Sequence, residues 1–177
     1  MLHRLSGIHA SYCQQSVRVT AATRSADTSG MRRVEADALV GASRDEVWQL
    51  YDDIAGMPRW VPSVREVLYV SGPSRVGTVY RERNRLSTTQ WEIVEHRRPT
   101  RQVHLAAEGA LERARILTFE ARGSGTWVHQ ALELRSSLWG PVGWLHELTA
   151  AMLAGAWVQA TVASAKRSFE GDPRRPG

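Results

Sequence analysis

Cysteine and lysine are almost absent from this sequence. Cys13 is the only cysteine, which excludes an intrachain disulfide and gives no reason to expect an oxidising compartment. Lys166 is the only lysine among 23 basic residues, so arginine carries nearly all of the positive charge behind the net value of +5. Most arginines alternate with acids, as in residues 81–83. This alternation predicts a mixed, solvated surface rather than a basic patch for nucleic acid.

Long apolar runs and metal-binding patterns are missing as well. No stretch reaches the roughly 18 apolar residues of a membrane span, because polar residues interrupt the longest apolar region, 144–165. The histidines are scattered and show no zinc-like spacing, so neither a metal nor another cofactor is predicted. We therefore expect a cytoplasmic protein without stable membrane insertion and without nucleic acid as a partner.

Composition divides the chain into one domain and two tails. Residues 1–30 are rich in Arg and Ser and poor in acids, and they lack the apolar core of a secretory signal. We interpret them as a disordered extension; translation from Met31 and an organelle transit peptide are the alternatives. Residues 31–170 are long enough to bury a real core, whereas 171–177 are expected to fray.

The first part of the domain predicts a strand followed by two short helices. Apolar and polar residues alternate over 34–40, which is typical of a strand with one buried face. Ser43 and Glu46 then have the spacing of a capping box, which opens a helix. Pro58 and Pro62 stop further helical growth, so only a second short helix or turn is expected there.

The rest of the domain predicts a run of strands and one long helix. Between residues 64 and 134, six strand-like segments are separated by turn residues, which indicates an antiparallel meander. From Pro141 to Phe169, apolar residues recur every three or four positions, which predicts an amphipathic helix of about 43 Å. The expected fold is thus α+β, with a curved antiparallel sheet of six or seven strands around a long C-terminal helix.

This order of elements predicts a cavity between the sheet and the last helix. A twisted sheet of this size curls, and its apolar face must be covered. The middle of the helix, residues 150–156, is rich in alanine and glycine, which leaves room. An apolar gap of roughly 300 Å³ or more would be an ordinary small-molecule site, whereas a solid core would instead favour an interaction module.

Five short segments in order, 40–48, 58–62, 76–81, 91–95 and 123–126, resemble the START/Bet v 1-like helix-grip superfamily in its polyketide cyclase/dehydrase-like branch. The resemblance extends over about residues 33–170. It implies the helix-grip fold and a hydrophobic pocket for lipids, polyketides, hormones or other small molecules. Some relatives catalyse cyclisation or dehydration, so the resemblance leaves catalysis open.

Candidate ligand-binding residues follow from the predicted inward faces. Gln130 is the polar exception on a mostly apolar strand face, and a buried amide needs hydrogen-bond partners. Tyr80 is favoured inward because an arginine inside would need a buried anion. By the same alternation His104 and His129 are expected to face outward, and Glu95 to lie in water at a strand end, so no catalytic residue is predicted. The predicted ligand-binding set is Trp60, Tyr80, Trp91, Leu117, Phe119, Gln130, Leu148 and Met152.

Two functions use the predicted cavity. The first is binding of a small, largely apolar molecule, lipid or polyketide-like, which requires only the cavity. The second is a cyclase or dehydratase, which also requires an acid or base near the reacting atoms. An inward Arg–Glu or Tyr–His pair would favour the enzyme.

Overall fold

The computed structural model of the chain describes residues 31–171. The predicted extension 1–30 and the predicted tail beyond Gly171 lie outside these residues. The described part contains seven strands and three helices: β1 (Arg32–Val40), α1 (Arg44–Asp52), α2 (Met57–Trp60), β2 (Val64–Val70), β3 (Val79–Asn84), β4 (Thr88–Arg97), β5 (Arg101–Glu108), β6 (Leu111–Arg122), β7 (Gly125–Ser136) and α3 (Gly140–Glu170).

The seven strands form one antiparallel sheet in the order β1-β7-β6-β5-β4-β3-β2. Strands β2 to β7 are a meander, and β1 closes the other side by pairing with β7 from Arg32–Leu134 to Val40–Thr126. Gly125 begins β7 where β1 ends, and a Cβ there would lie 2.6 Å from the Val40 carbonyl oxygen. The predicted α+β helix-grip fold is confirmed.

Helix α1 begins as its sequence predicts. The Ser43 hydroxyl accepts a hydrogen bond from the Glu46 amide, while the Glu46 carboxylate accepts one from the Ser43 amide at 2.9 Å. Two orphan amides of the first turn are thereby satisfied. The cap directs α1 across the end of the sheet, which brings Trp48 and Tyr51 into the core.

Aromatic rings fill the space between α1, α2 and the sheet. Phe119 contacts Trp48 and Tyr51 edge-on, with ring centroids 5.5 and 5.1 Å apart, and Tyr51 in turn contacts Trp60 at 4.8 Å. All four rings are buried, and edge-to-face geometry adds to the stabilisation from burial. These contacts fix the short helices above one end of the sheet.

Helix α3 packs against β1 and β7 mainly through its C-terminal half. Val158, Val162 and Ala165 are fully buried, as the predicted helical stripe requires. The predicted inward placement of Met152 is wrong, because its side chain is 72% exposed. At 100° per residue, Met152 lies on the side of the helix opposite to its buried stripe.

Candidate functional site

A narrow cavity lies between α2, the middle strands and the second half of α3. The open space between its side chains is about 10 Å³, which is barely enough for one water molecule. The cavity of roughly 300 Å³ expected from the fold is therefore not open in this conformation. The lining is mixed rather than purely apolar: Tyr51, Met57, Trp60, Val61, His104, Arg115, Leu117, Gln130, Trp157 and Thr161.

A second, wider depression of about 500 Å³ lies at the other end of the helix and is lined by residues such as Arg135, Ser137 and Trp139. It is shallow, and its lining is mostly exposed. Enclosure and convergent polar groups distinguish ligand sites from surface depressions. The smaller, enclosed cavity is therefore the candidate site.

A buried ion pair forms the polar centre of this cavity. Arg115 Nη2 lies 3.0 Å from Glu82 Oε1, and both side chains are at most 5% exposed. The guanidinium also stacks over Trp91 and Trp157, at 4.3 and 4.8 Å from the ring centroids. Burial alone would lower the pKa of Arg115, but Glu82 and Tyr80 outweigh it and raise that pKa above its usual value. The site therefore holds a permanent cation between two indole rings.

Hydrogen bonds connect this cation to Tyr80 and, through Tyr80, to His104. Arg115 Nη1 donates to the Tyr80 hydroxyl at 3.2 Å, and that hydroxyl lies 2.7 Å from His104 Nδ1. Burial, the Arg115 charge and His96 lower the pKa of His104 well below its ordinary value. Burial also raises the pKa of Tyr80, against the opposing effect of Arg115. The imidazole is therefore neutral, and the phenol keeps its proton.

The histidine tautomer follows from its other neighbour. Gln102 Nε2 donates to Asp52 Oδ1 at 3.1 Å, so its Oε1 faces His104 Nε2 at 3.2 Å. His104 Nε2 must then carry the proton, and Nδ1 accepts a hydrogen bond from the Tyr80 hydroxyl. Asp52 also contacts His96 Nε2 at 2.8 Å, and its side chain is 27% exposed. A continuous row of hydrogen bonds thus runs from the cavity to solvent.

Several buried polar atoms around the cavity have no hydrogen-bond partner in the protein. They are the Tyr51 hydroxyl, Trp60 Nε1 and both amide atoms of Gln130. All three side chains line the cavity, and unpaired buried groups are rare because each one costs about 1–3 kcal/mol. Together with Arg115 they present more donors than acceptors to whatever occupies this space.

Most of the predicted site residues lie on the inner side of the sheet. Tyr80, Trp91, Leu117, Phe119 and Gln130 are buried there, and Trp60 is 9% exposed at the mouth. Only Trp60, Leu117 and Gln130 line the cavity itself, whereas Leu148 is half-buried and Met152 points away from the sheet. Whether these residues bind a ligand stays a prediction.

Two residues of this site were missed by the sequence patterns. His104 was expected to face outward between Val103 and Leu105, but it is 1% exposed and Leu105 is 44% exposed. In β5 the polar residues Gln102 and His104 face the interior and apolar Leu105 faces solvent, because the inner face of this strand carries the polar network. Arg115 shares the strand face of Leu117 and Phe119, so alternation alone could have identified it. Glu95 is half-buried and ion-paired with Arg97 and Arg101, rather than lying freely in water.

The described residues 31–171 contain no group of three side chains suited to hold a metal ion. The charges of the cavity balance each other instead, with Glu82 opposite Arg115 and neutral Tyr80 and His104 beside them. Such a site can orient a polar group and hydrogen-bond to it.

Comparisons with known proteins agree with this fold. The family model described as polyketide cyclase / dehydrase and lipid transport matches residues 31–170, and no curated protein sequence matches the chain. The di-domain ARO/CYC BexL from the BE-7585A biosynthetic pathway is similar, with 19% identity, a TM-score of 0.63 and coverage of 82% of this chain. The match spans 52% of BexL, about half its length.

Two single-domain structures are similar over nearly their whole length. A START superfamily protein from Mycobacterium smegmatis has 14% identity and a TM-score of 0.63, covering 78% of this chain and 97% of that one. Truncated norcoclaurine synthase from Thalictrum flavum has 13% identity and a TM-score of 0.61, covering 80% and 96% respectively. At these identities the likeness concerns the fold.

Proposed function

Because this chain belongs to the polyketide cyclase/dehydrase and lipid transport family, we propose that it binds a small, largely apolar molecule between the sheet and α3. The ligand would carry oxygen acceptors, since the cavity offers Arg115 and the unpaired donors of Tyr51 and Trp60. The observation that carries this proposal is the convergence of unpartnered, buried polar atoms on one enclosed space. By length and composition α3 could span a membrane, but the C-terminal half of this helix is buried against β1 and β7. The protein would therefore act without stable membrane insertion, in the cytoplasm and without nucleic acid as a partner.

Ligand entry would require the closed cavity to widen. Trp60 and Trp157 line it from α2 and α3. In the adjoining turns of α3 the small residues Ala150, Ala151, Ala154 and Gly155 are only half-buried. Few tight contacts therefore hold this part of the helix, so a shift of the helix or of the two indoles would enlarge the space at low cost.

The proposal is tested on protein purified from its own host. Native mass spectrometry should show a co-purifying small molecule, and a panel of fatty acids, sterols and polyhydroxylated aromatic compounds should raise the melting temperature. Absence of a bound molecule together with no thermal shift for any panel member would contradict the proposal. Gln130→Leu should weaken binding of the best panel member about tenfold, since it removes one buried hydrogen-bonding group, whereas exposed Gln49→Leu should leave binding unchanged.

A second candidate is a cyclase or dehydratase in the same cavity. The Tyr80–His104 contact of 2.7 Å beside the Arg115–Glu82 pair is the arrangement that favours an enzyme. Arg115 would stabilise the oxygen on which negative charge develops, and the protonated hydroxyl of Tyr80, oriented by His104, would donate a proton to that oxygen. Tyr80→Phe should then abolish turnover of a poly-β-keto thioester while binding persists; a variant that retains turnover would leave binding alone.

A further inference from the structure

The outward face of α3 carries no charged side chain over most of its length. Between Gly140 and Ala165 the only acidic or basic residue other than His146 is Glu147, and Glu147 is buried against the Ser136 amide and Arg32. A helix face that meets only water normally alternates with charged residues. This face is instead built like an interface.

The exposed side chains of this face are large and apolar. Val142, Leu145, Met152 and Leu153 are between 54% and 72% exposed. By their angular positions on the helix, these four residues project away from the buried stripe that contains Val158. Exposed apolar patches of more than a few hundred Å² mark interaction surfaces.

The spacing of this face fits a partner helix. Its members step by three or four residues, with two consecutive steps of four between Met152 and Ala160: Val142, Leu145, Thr149, Met152 and Ala156, continuing to Ala160, Ala163 and Arg167. This spacing is close to the 3.5-residue repeat by which two helices pack side by side. A flat or fluid partner would not require it.

The size of the side chains along the face indicates that the partner helix is the same helix of a second copy. The N-terminal half carries Val, Leu and Met, whereas the C-terminal half carries Ala156, Ala160 and Ala163. In an antiparallel pair of identical helices, Val142 would meet Ala163 and Leu145 would meet Ala160. Met152 would lie near the twofold axis, beside Leu153 of the second copy. Large residues then face small ones on both sides of the axis, and only at the axis do two large residues, Met152 and Leu153, meet.

We propose that the outward face of α3 pairs antiparallel with the same face of a second copy of this chain. At the ends of the pair, Arg167 would reach Trp139 of the other copy, which is 93% exposed, and form a cation–π contact. Four large exposed residues per copy, Val142, Leu145, Met152 and Leu153, together with Trp139, would supply the apolar part of an interface; ordinary stable interfaces bury about 800 Å² per partner.

Two other occupants of the face have less support. An anionic membrane would need a cluster of free basic groups around the apolar face, but Arg32, Arg33 and Arg113 at that end of the sheet are each ion-paired with a glutamate, which leaves exposed Arg135 without such a cluster around it. Residues 1–30 could also reach the face, since β1 begins at Arg32, whose guanidinium lies 5.3 Å from the ring of Trp144. Neither alternative explains why the side chains of this face change from large in the N-terminal half of the helix to small in its C-terminal half.

The experiment measures the mass of the full chain in solution across a concentration series, by analytical ultracentrifugation. Wild type should be a dimer at micromolar concentration, and Met152→Glu should raise the dimer dissociation constant at least about 100-fold, because two carboxylates would meet near the axis. Leu86→Glu, which changes an 88% exposed apolar residue away from α3, should leave the dimer intact. Unchanged far-ultraviolet circular dichroism verifies folding of each variant.

A cysteine cross-link provides an independent measurement. In a Cys13→Ser background, Met152→Cys should form a disulfide-linked dimer under mild oxidation at low protein concentration, whereas Leu86→Cys should not. A wild-type monomer up to 100 µM would overturn the proposal. The proposal would also be overturned if the full chain were a monomer and dimerised only after deletion of residues 1–30. It would likewise be overturned if the chain were a monomer that bound phosphatidylcholine–phosphatidylglycerol vesicles and lost this binding on substitution of Met152.

Discussion

Removing both charges of the buried Arg115–Glu82 pair should leave the protein folded but without its binding site. At 3.0 Å and an effective dielectric constant of about 20, the attraction between the two charges is about 5.5 kcal/mol. Taking both charges out of water costs a comparable amount. The pair should therefore contribute little net stability, although each member depends strongly on the other.

A double-mutant cycle measures this dependence. Glu82→Leu and Arg115→Met should each lower the free energy of unfolding by about 3–5 kcal/mol, because each leaves one buried charge unpaired. The double variant should return to within about 1 kcal/mol of wild type, or exceed it. Urea denaturation followed by tryptophan fluorescence gives all four values. Ligands that stabilise wild type should no longer raise the melting temperature of the double variant.

The exposed pair Arg83–Glu66 is the matched control, because Arg83 lies on the same strand as Glu82 and both side chains of the pair are about half exposed. The same cycle there should give a coupling energy below about 1 kcal/mol. If the double variant Glu82→Leu/Arg115→Met loses as much stability as the two single variants together, the charges are not coupled and the reasoning is refuted.

Three further predictions concern stability. The folded state holds the pKa of His104 below the ordinary 6.5, so the unfolded chain binds more protons as the pH falls. The free energy of unfolding should therefore decrease by about 1.4 kcal/mol between pH 7.5 and 5.5. His104→Gln should abolish this part of the pH dependence in urea titrations. Ser43→Ala should cost about 1 kcal/mol through loss of the helix cap, and an unchanged urea midpoint would contradict the capping geometry. Phe119→Ala should cost about 3–5 kcal/mol, whereas Leu86→Ala at an 88% exposed position should stay within about 0.5 kcal/mol.

The fold was predictable because each element carries its own local signal. The capping box at Ser43 and the alternation over 34–40 mark α1 and β1 to within a residue or two. The turn residues of the meander separate the strands, and the apolar period after Pro141 marks α3. These signals depend only on neighbours in the chain, so the sequence contains them in full.

The candidate site was predictable only in part, because its residues depend on partners far away in the chain. His104 is buried because Tyr80 donates a hydrogen bond to its Nδ1 and Gln102 accepts one from its Nε2. The pattern of β5 alone does not predict these partners. An inward arginine needs a buried anion, and Glu82 is that anion. The arginine it pairs with is Arg115 of β6, however, and not Arg81 of its own strand. Met152 was assigned to the wrong face because a helix that is apolar on both sides leaves its orientation undecided.

The pairing of β1 with β7 has a consequence for how the chain acquires its structure. The first strand of the domain must wait for the last strand, since Arg32 pairs with Leu134 and Val40 with Thr126, and α3 packs on the two together. A nascent chain leaving the ribosome therefore exposes the apolar side of β1 and of the meander until nearly the whole domain has been synthesised. Such late, long-range closure slows folding and lengthens the interval in which chaperones can bind.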